Sequence, residues 1–456
     1  MKYQYAICYP KLSHPLASEK SDVKIKYACL LSHYYHMVCE ADCSAKVRLD
    51  RFLLDFLAST DFTPIEFEAA AKDIMKTRFT PFKLFSYRYI FLFDCIFLFA
   101  GDDKNKADLI SAHMKTSVHK RYHKRIDYLV ENMYQVSCEW SDFPQITSEM
   151  QEAWESYKEY IHSTERSVIF TATMSAGKST LINALIGREI TNTKKAACTA
   201  TVMDFITSPF RHTLYNVIDE EQPQYNIPCT EIRQLSVGRD TPMCVIGYFE
   251  SCLGKRKLAV IDTPGVNSSL NPEHKKVTRE ALQNKFYDTL VYVIPVENYG
   301  SENDYAHLQF IKQRVSYGKI IFVVNMMDTC DFEDDSVSEI IDDISTHLTD
   351  IGFEEPIVCP VSAKAGLLFK QALTGVDLSE NDTKALMAYY NKYACPEYDL
   401  RTCYTAQVEN PIQVSTYKYT HIISEHQLYE ALMSTGLPQL EQCIMDTFKE
   451  ESACKM

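Results

Sequence analysis

With 456 residues, 46% hydrophobic and 24% charged, the chain is long enough for two domains and has the composition of a globular protein that can bury a core. A formal net charge of -14, spread along the chain, argues against nucleic acid as its partner. Its 16 cysteines form no C-x-x-C pair, and the start of the chain lacks signal-peptide character, so reduced thiols in a cytoplasmic protein are expected. The most apolar run, Tyr89 to Ala100, is too short to cross a bilayer and contains Asp94. It predicts a buried helix and leaves only peripheral membrane contact open.

Residues 1–147 predict an all-helical domain. Helix-spaced apolar residues run from Tyr27 to Leu57, interrupted at Ala41-Asp-Cys-Ser44, and again from Tyr87 to Met114, interrupted at Phe99-Ala-Gly-Asp-Asp-Lys104. Helix, acidic turn, helix thus occurs twice. The plan resembles the all-helical TerB-like domains, where an Ala-x-Asp-Gly-like turn joins paired helices. Here Asp42 is followed by Cys43, and Gly101 precedes Asp102; a generic helical bundle is the alternative. His33, His36, Cys39 and Cys43 are spaced along one helix face, but four ligands on one helix wrap a tetrahedral zinc ion poorly, so core residues are expected. The run His119-Lys-Arg-Tyr-His-Lys-Arg125 reads as a solvated basic face, with an anionic membrane surface or an acidic partner as its functional alternative.

From residue 148 the pattern changes. A helix over 148–163 leads into an apolar strand at Val168. Strand-length apolar runs recur at 257–261, 289–294, 319–324 and 357–361, with helical patterns over 273–287, 303–316 and 336–349 between them. This alternation predicts an α/β domain with a mostly parallel sheet and helices on both faces. Ligands of such sheets sit at the carboxyl ends of the strands.

The motifs fall at those ends. Ala172 to Ser179 fits the phosphate-loop pattern G-x-x-x-x-G-K-[ST] with Ala at the first position. Backbone N–H groups and a helix N-terminus converge on an anion there, Gly177 admits the phosphates, Lys178 adds a point charge, and the Ser179 hydroxyl suits Mg²⁺. The structural alternative is a glycine turn in an ordinary α/β unit. Asp262-Thr-Pro-Gly265 ends the next strand; its carboxylate is placed for Mg²⁺ and Gly265 for a terminal phosphate, against the alternative of a strand-ending turn. Asn325-Met-Met-Asp328 ends another. An Asp carboxylate there can accept from both guanine N1–H and N2–H₂, a donor pair that adenine lacks.

With Ser362-Ala-Lys364 added, the chain resembles the TRAFAC-class GTPases, and within them the bacterial dynamin-like group. Ser175-Ala-Gly-Lys-Ser179, Leu181 to Gly187, Cys198-Thr-Ala-Thr-Val202 and Asp262 to Ser268 carry the likeness, which extends over about residues 165–450. Residues 148–456 would form the GTPase domain, with an insertion at about 374–425 ahead of a closing helix from Ser434. The resemblance implies a GTP site of Ser175, Ala176, Gly177, Lys178, Ser179 and Thr180, with Gly265, Asn325, Asp328, Ser362, Ala363 and Lys364. It implies Mg²⁺ on Ser179, Asp262 and Thr199, with Thr201 as the rival switch threonine, and catalytic roles for Ser175, Lys178 and Thr199. Three departures stand out. Ala172 replaces the first Gly, Met326 replaces the usual Lys, and the water-positioning group is missing, with Met174 where dynamins often carry Gln or Arg and Val266 in the place of a water-orienting Gln. The expected activity is Mg²⁺-dependent hydrolysis of GTP to GDP and phosphate, slow in isolation and accelerated in a nucleotide-dependent homodimer or by a partner. The alternative is a non-hydrolysing or very slow binding switch whose helical domain docks a protein partner.

Overall fold

The computed structural model describes residues 5–7, 10, 13–39, 42–58, 84–191, 201–219, 223–235, 241–266, 273–316, 318–331, 336–405, 408, 412, 414, 417–419 and 423–453. The chain divides into two compact units. One comprises residues 1–163 with 208–212, the other 164–207 with 213–456.

The first unit is helical: α1 (Ser21–Cys39), α2 (Cys43–Phe56), α3 (Arg88–Cys95), α4 (Lys104–Ser117), α5 (His123–Met133) and α6 (Ser148–His162). The repeated acidic turns are helix caps. Asp42 accepts from the N–H groups of Ser44 and Ala45, and Asp103 from those of Asn105 and Lys106. Lys106 then links the two turns by reaching Asp42 Oδ2 at 3.2 Å. The apolar run is buried from Tyr89 to Ala100, as α3 and a π turn over Ile96–Ala100. Asp94 is tolerated at its centre because His14 Nε2 lies 3.0 Å and the Tyr27 hydroxyl 2.5 Å from its carboxylate. Of the His and Cys residues on α1, Cys39 donates its thiol to the Phe99 carbonyl, and His33 packs edge-on against Tyr34. Helix α6 closes this unit, with the Trp154 indole N–H donating to the Met133 carbonyl at 2.8 Å. Among the described residues no helix is long and apolar enough to cross a membrane.

The second unit is built on a sheet of β1 (Arg166–Ala172), β2 (Met203–Thr207), β3 (Leu214–Ile218), β4 (Gln224–Pro228), β5 (Met243–Gly247), β6 (Leu258–Asp262), β7 (Thr289–Pro295), β8 (Lys319–Asn325) and β9 (Ile357–Val361). The order is β4-β3-β5-β2-β6-β1-β7-β8-β9. β6, β1, β7, β8 and β9 run parallel, whereas β2 meets β6 and β3 meets both β4 and β5 in antiparallel fashion. The parallel strands are mostly apolar at their centres, as burial on both faces requires; β7 is buried at every residue. The helices of this unit are α7 (Lys178–Ile186), α8 (Cys229–Leu235), α9 (Glu273–Asn284), α10 (Glu302–Arg314), α11 (Val337–Ile351), α12 (Ala363–Leu373), α13 (Glu380–Tyr393), α14 (Glu425–Ser434) and α15 (Leu437–Ala453). The predicted mostly parallel sheet flanked by helices is therefore present, with an antiparallel flank at 203–247 that the sequence reading does not anticipate.

Candidate functional site

Four loops meet at the carboxyl ends of β1, β6, β8 and β9. The first leaves β1 and turns into α7 at Lys178. Two residues of this turn take left-handed backbone, Ser175 at φ 67° and Gly177 at φ 79°. Gly177 is further dictated by its neighbours: a Cβ there would lie 2.3 Å from Asn325 Nδ2 and 3.2 Å from Met326 Cε. Ser175 is exposed at the loop's tip, while Ser179 and Thr180 are half-buried in the first turn of α7. The Ser179 carbonyl accepts from the Thr191 hydroxyl at 3.0 Å.

The second loop is stitched to the first. Val266 N–H donates to the Ala172 carbonyl and Met174 N–H to the Val266 carbonyl, both at 3.1 Å. Gly265 thereby lies against Met174, whose Cα would stand 3.4 Å from a Cβ at Gly265. The Asp262 carboxylate is wholly buried and forms an ion pair with Lys178, itself 7% exposed. Only Oδ1 is used; Oδ2 has no hydrogen-bond partner among the described residues. Burial pushes the Asp262 carboxyl above its usual range, and the Lys178 ammonium opposes that shift.

The third and fourth loops are joined by Asn325. Its Nδ2 donates to the Ala176 carbonyl at 3.1 Å, and its Oδ1 accepts from Ala363 N–H at 3.2 Å. One side chain thus ties the phosphate loop to the Ser362-Ala-Lys364 loop. The Ser362 hydroxyl donates to Asp328 Oδ1 at 2.5 Å. Met326 adopts left-handed backbone at φ 67°. Lys364 extends between Glu189 and Asp382, 3.5 Å and 3.6 Å away. Thr199 lies outside the described residues. Thr201, the rival, donates its hydroxyl to the Thr241 carbonyl at 3.4 Å.

The structure therefore brings together the predicted residues of all four motifs. It also adds residues the motifs do not contain. The segment expected as an insertion carries α13, whose Tyr389 and Lys392 contact the Asp328 loop. Its sequence position after Lys364 was the only signal for this.

A phosphate-type loop between the first strand and helix of the domain, a buried carboxylate at the end of the adjacent strand, and an Asn–Asp pair two strands away define a P-loop nucleotide-binding domain. Residues 168–328 match the model of the dynamin family. Dynamin-like protein A of Bacillus subtilis (strain 168) is 25% identical over 163 residues, covering 34% of this chain and 13% of that protein. An uncharacterized protein of Caldicellulosiruptor sp. (strain Rt8B.4), from the xynA 3' region, is 29% identical over 220 residues, covering 46% of this chain and 52% of the relative. The chain spans about half or less of the length of these relatives. A chain of an oligomerised bacterial dynamin pair aligns over 85% of this protein and 62% of its own length at 14% identity, with a TM-score of 0.34.

Proposed function

We propose that the protein binds GTP and hydrolyses it to GDP and phosphate, using the nucleotide to drive rearrangement of its switch loops. The observation that carries this reading is the buried Lys178–Asp262 pair with its unpartnered Asp262 Oδ2, at the mouth of a phosphate loop. A buried carboxylate oxygen without a donor is costly unless a cation or hydrogen bond completes it, and a hard divalent cation prefers oxygen ligands. Ser179 and Asp262 fit Mg²⁺, with Thr199 as the switch ligand. Bound there, the ion would neutralise charge on the outer phosphates.

The chain's own residues supply the rest. Backbone N–H groups of Ala176 to Thr180 would cradle the phosphates, Lys178 would turn from Asp262 to their charge, and Gly265 would offer its N–H to the terminal phosphate. Asp328 would read guanine, with Asn325, Ser362, Ala363 and Lys364 forming that end of the pocket. Ser175 at the exposed tip of the loop stands where a second protomer can reach it. Val266 and Met174 carry no group that orients water, so hydrolysis is slow alone and is completed by self-association.

The same two residues favour a second reading, a switch with negligible turnover whose helical unit binds a protein partner. Phosphate release measured against protein concentration separates the two. A superlinear rise supports hydrolysis completed by association; tight GTP binding with flat, near-zero release at every concentration would refute the enzyme. A cytoplasmic protein with peripheral membrane contact suits the exposed His119, Lys120, Arg121, Lys124 and Arg125 on the helical unit.

A further inference from the structure

Helix α13 lies against both base-side loops. Three of its residues, Asp382, Tyr389 and Lys392, are spaced seven and three apart and so fall along one stripe. Asp382 faces Lys364 at 3.6 Å. The Tyr389 hydroxyl donates to Asp328 Oδ2 at 3.4 Å. Lys392 Nζ donates to the carbonyls of Asp328 and Cys330 at 2.8 Å and 2.7 Å, one inside the turn Met327–Thr329 and one just past its end. The Ser362 hydroxyl occupies the other carboxylate oxygen of Asp328.

A carboxylate offers about four lone-pair sites, two per oxygen. One hydroxyl on each oxygen fixes the plane of the group and leaves one site on each for a further donor. Guanine presents two adjacent donors, N1–H and N2–H₂. Tyr389 is kept as a donor, because burial and then the Asp328 charge push its hydroxyl up to about 12.

We propose that α13 is a clamp on the base-reading loop, in which Tyr389 and Lys392 are positioning residues that hold Asp328 for guanine. This rests on the guanine-site reading above. It makes nucleotide affinity depend on the seating of a segment outside the four motifs. Lys392 also gives the loop, from a neighbouring helix, an ammonium that Met326 does not provide within it.

The test is titration of the full-length protein with fluorescent GDP. Tyr389→Phe and Lys392→Met should each weaken binding about tenfold, the effect expected for a long hydrogen bond to a charged group or a pair of charge-assisted bonds to carbonyls. Lys392→Arg should restore most of that loss. In an Asp328→Ala background, Tyr389→Phe should change nothing further, because its effect passes through the carboxylate; a merely structural role would repeat its loss there. The clamp is overturned if Tyr389→Phe binds like the parent protein, or if it costs as much with Asp328→Ala as without it. A parent protein that does not bind GDP, or an Asp328→Ala variant that binds it undiminished, removes the guanine reading and the clamp with it.

Discussion

Replacing Lys178 by Ala tests two properties of the site at once. The ammonium is 7% exposed and its partner Asp262 is fully buried, so the change strands a carboxylate with no remaining partner among the described residues. Breaking a buried pair by removing one member costs about 3–5 kcal/mol. In a unit of this size each kcal/mol lowers the midpoint of thermal unfolding by roughly 2–4 °C, so a fall of about 10 °C is expected. Adding Asp262→Asn removes the stranded charge and should return most of that loss. The pH dependence has a definite sign. Burial already raises the Asp262 carboxyl and Lys178 opposes the shift, so without Lys178 the folded state holds a proton more readily than the unfolded chain. The deficit of Lys178→Ala should therefore shrink as pH falls through the acid range. Calorimetry at pH 5 and pH 7.5, on both variants without nucleotide, measures this. An unchanged midpoint for Lys178→Ala, or a double variant no better than the single, would refute the buried-pair reasoning. Fluorescent-GTP titration on the same samples should show no binding by either variant; retained affinity would defeat the phosphate-loop assignment.

Gly177→Ala places a methyl 2.3 Å from Asn325 Nδ2 at a backbone angle of 79°. Left-handed strain and one lost hydrogen bond together cost about 2–3 kcal/mol, read as a fall in thermal midpoint with loss of GTP affinity; a variant matching its parent in both would contradict the close approach. His307, buried against the Thr171 hydroxyl at 2.9 Å, has its pKa lowered from 6.5 to about 3 by burial and then by Arg279 and Lys275. The unfolded chain takes up a proton that the folded one refuses, so stability should fall as pH drops below 6.5, by up to about 1.4 kcal/mol per unit. His307→Gln should flatten that slope in urea titrations, and an equally steep slope would clear His307 of the effect. Replacing Lys120, Arg121 and Lys124 by Glu should abolish co-sedimentation with anionic liposomes, at about 1 kcal/mol per basic side chain removed. If the parent protein does not sediment, the membrane proposal fails.

Much of the site was readable because its chemistry is local. Ala172–Ser179 is one contiguous stretch, and Asp262, Asn325 and Ser362 each follow a strand marked by an unbroken apolar run. The antiparallel flank was not readable. β2, β3, β4 and β5 have five residues each, and polar Asp204, Asn216 and Asn226 interrupt β2, β3 and β4. What secures Asp204 is distant, the ammonium of Lys285 at 2.7 Å. Tyr389 and Lys392 were hidden for the same reason. Their spacing is that of any amphipathic helix, and their meaning comes from a loop about sixty residues earlier. Asp94 was visible as an anomaly in an aromatic run, but its partners His14 and Tyr27 could not be paired with it from spacing alone.

That arrangement around Asp94 bears on how the protein can be trimmed or tagged. His14 belongs to a short stretch ahead of α1, and its ring also packs edge-on against Tyr27, Phe52 and Phe56. The stretch serves as a plug for the aromatic interior. A shortened form starting at α1 would expose three rings and leave Asp94 without one of its donors. Shortened versions of the protein should therefore keep His14 and the stretch from it to α1.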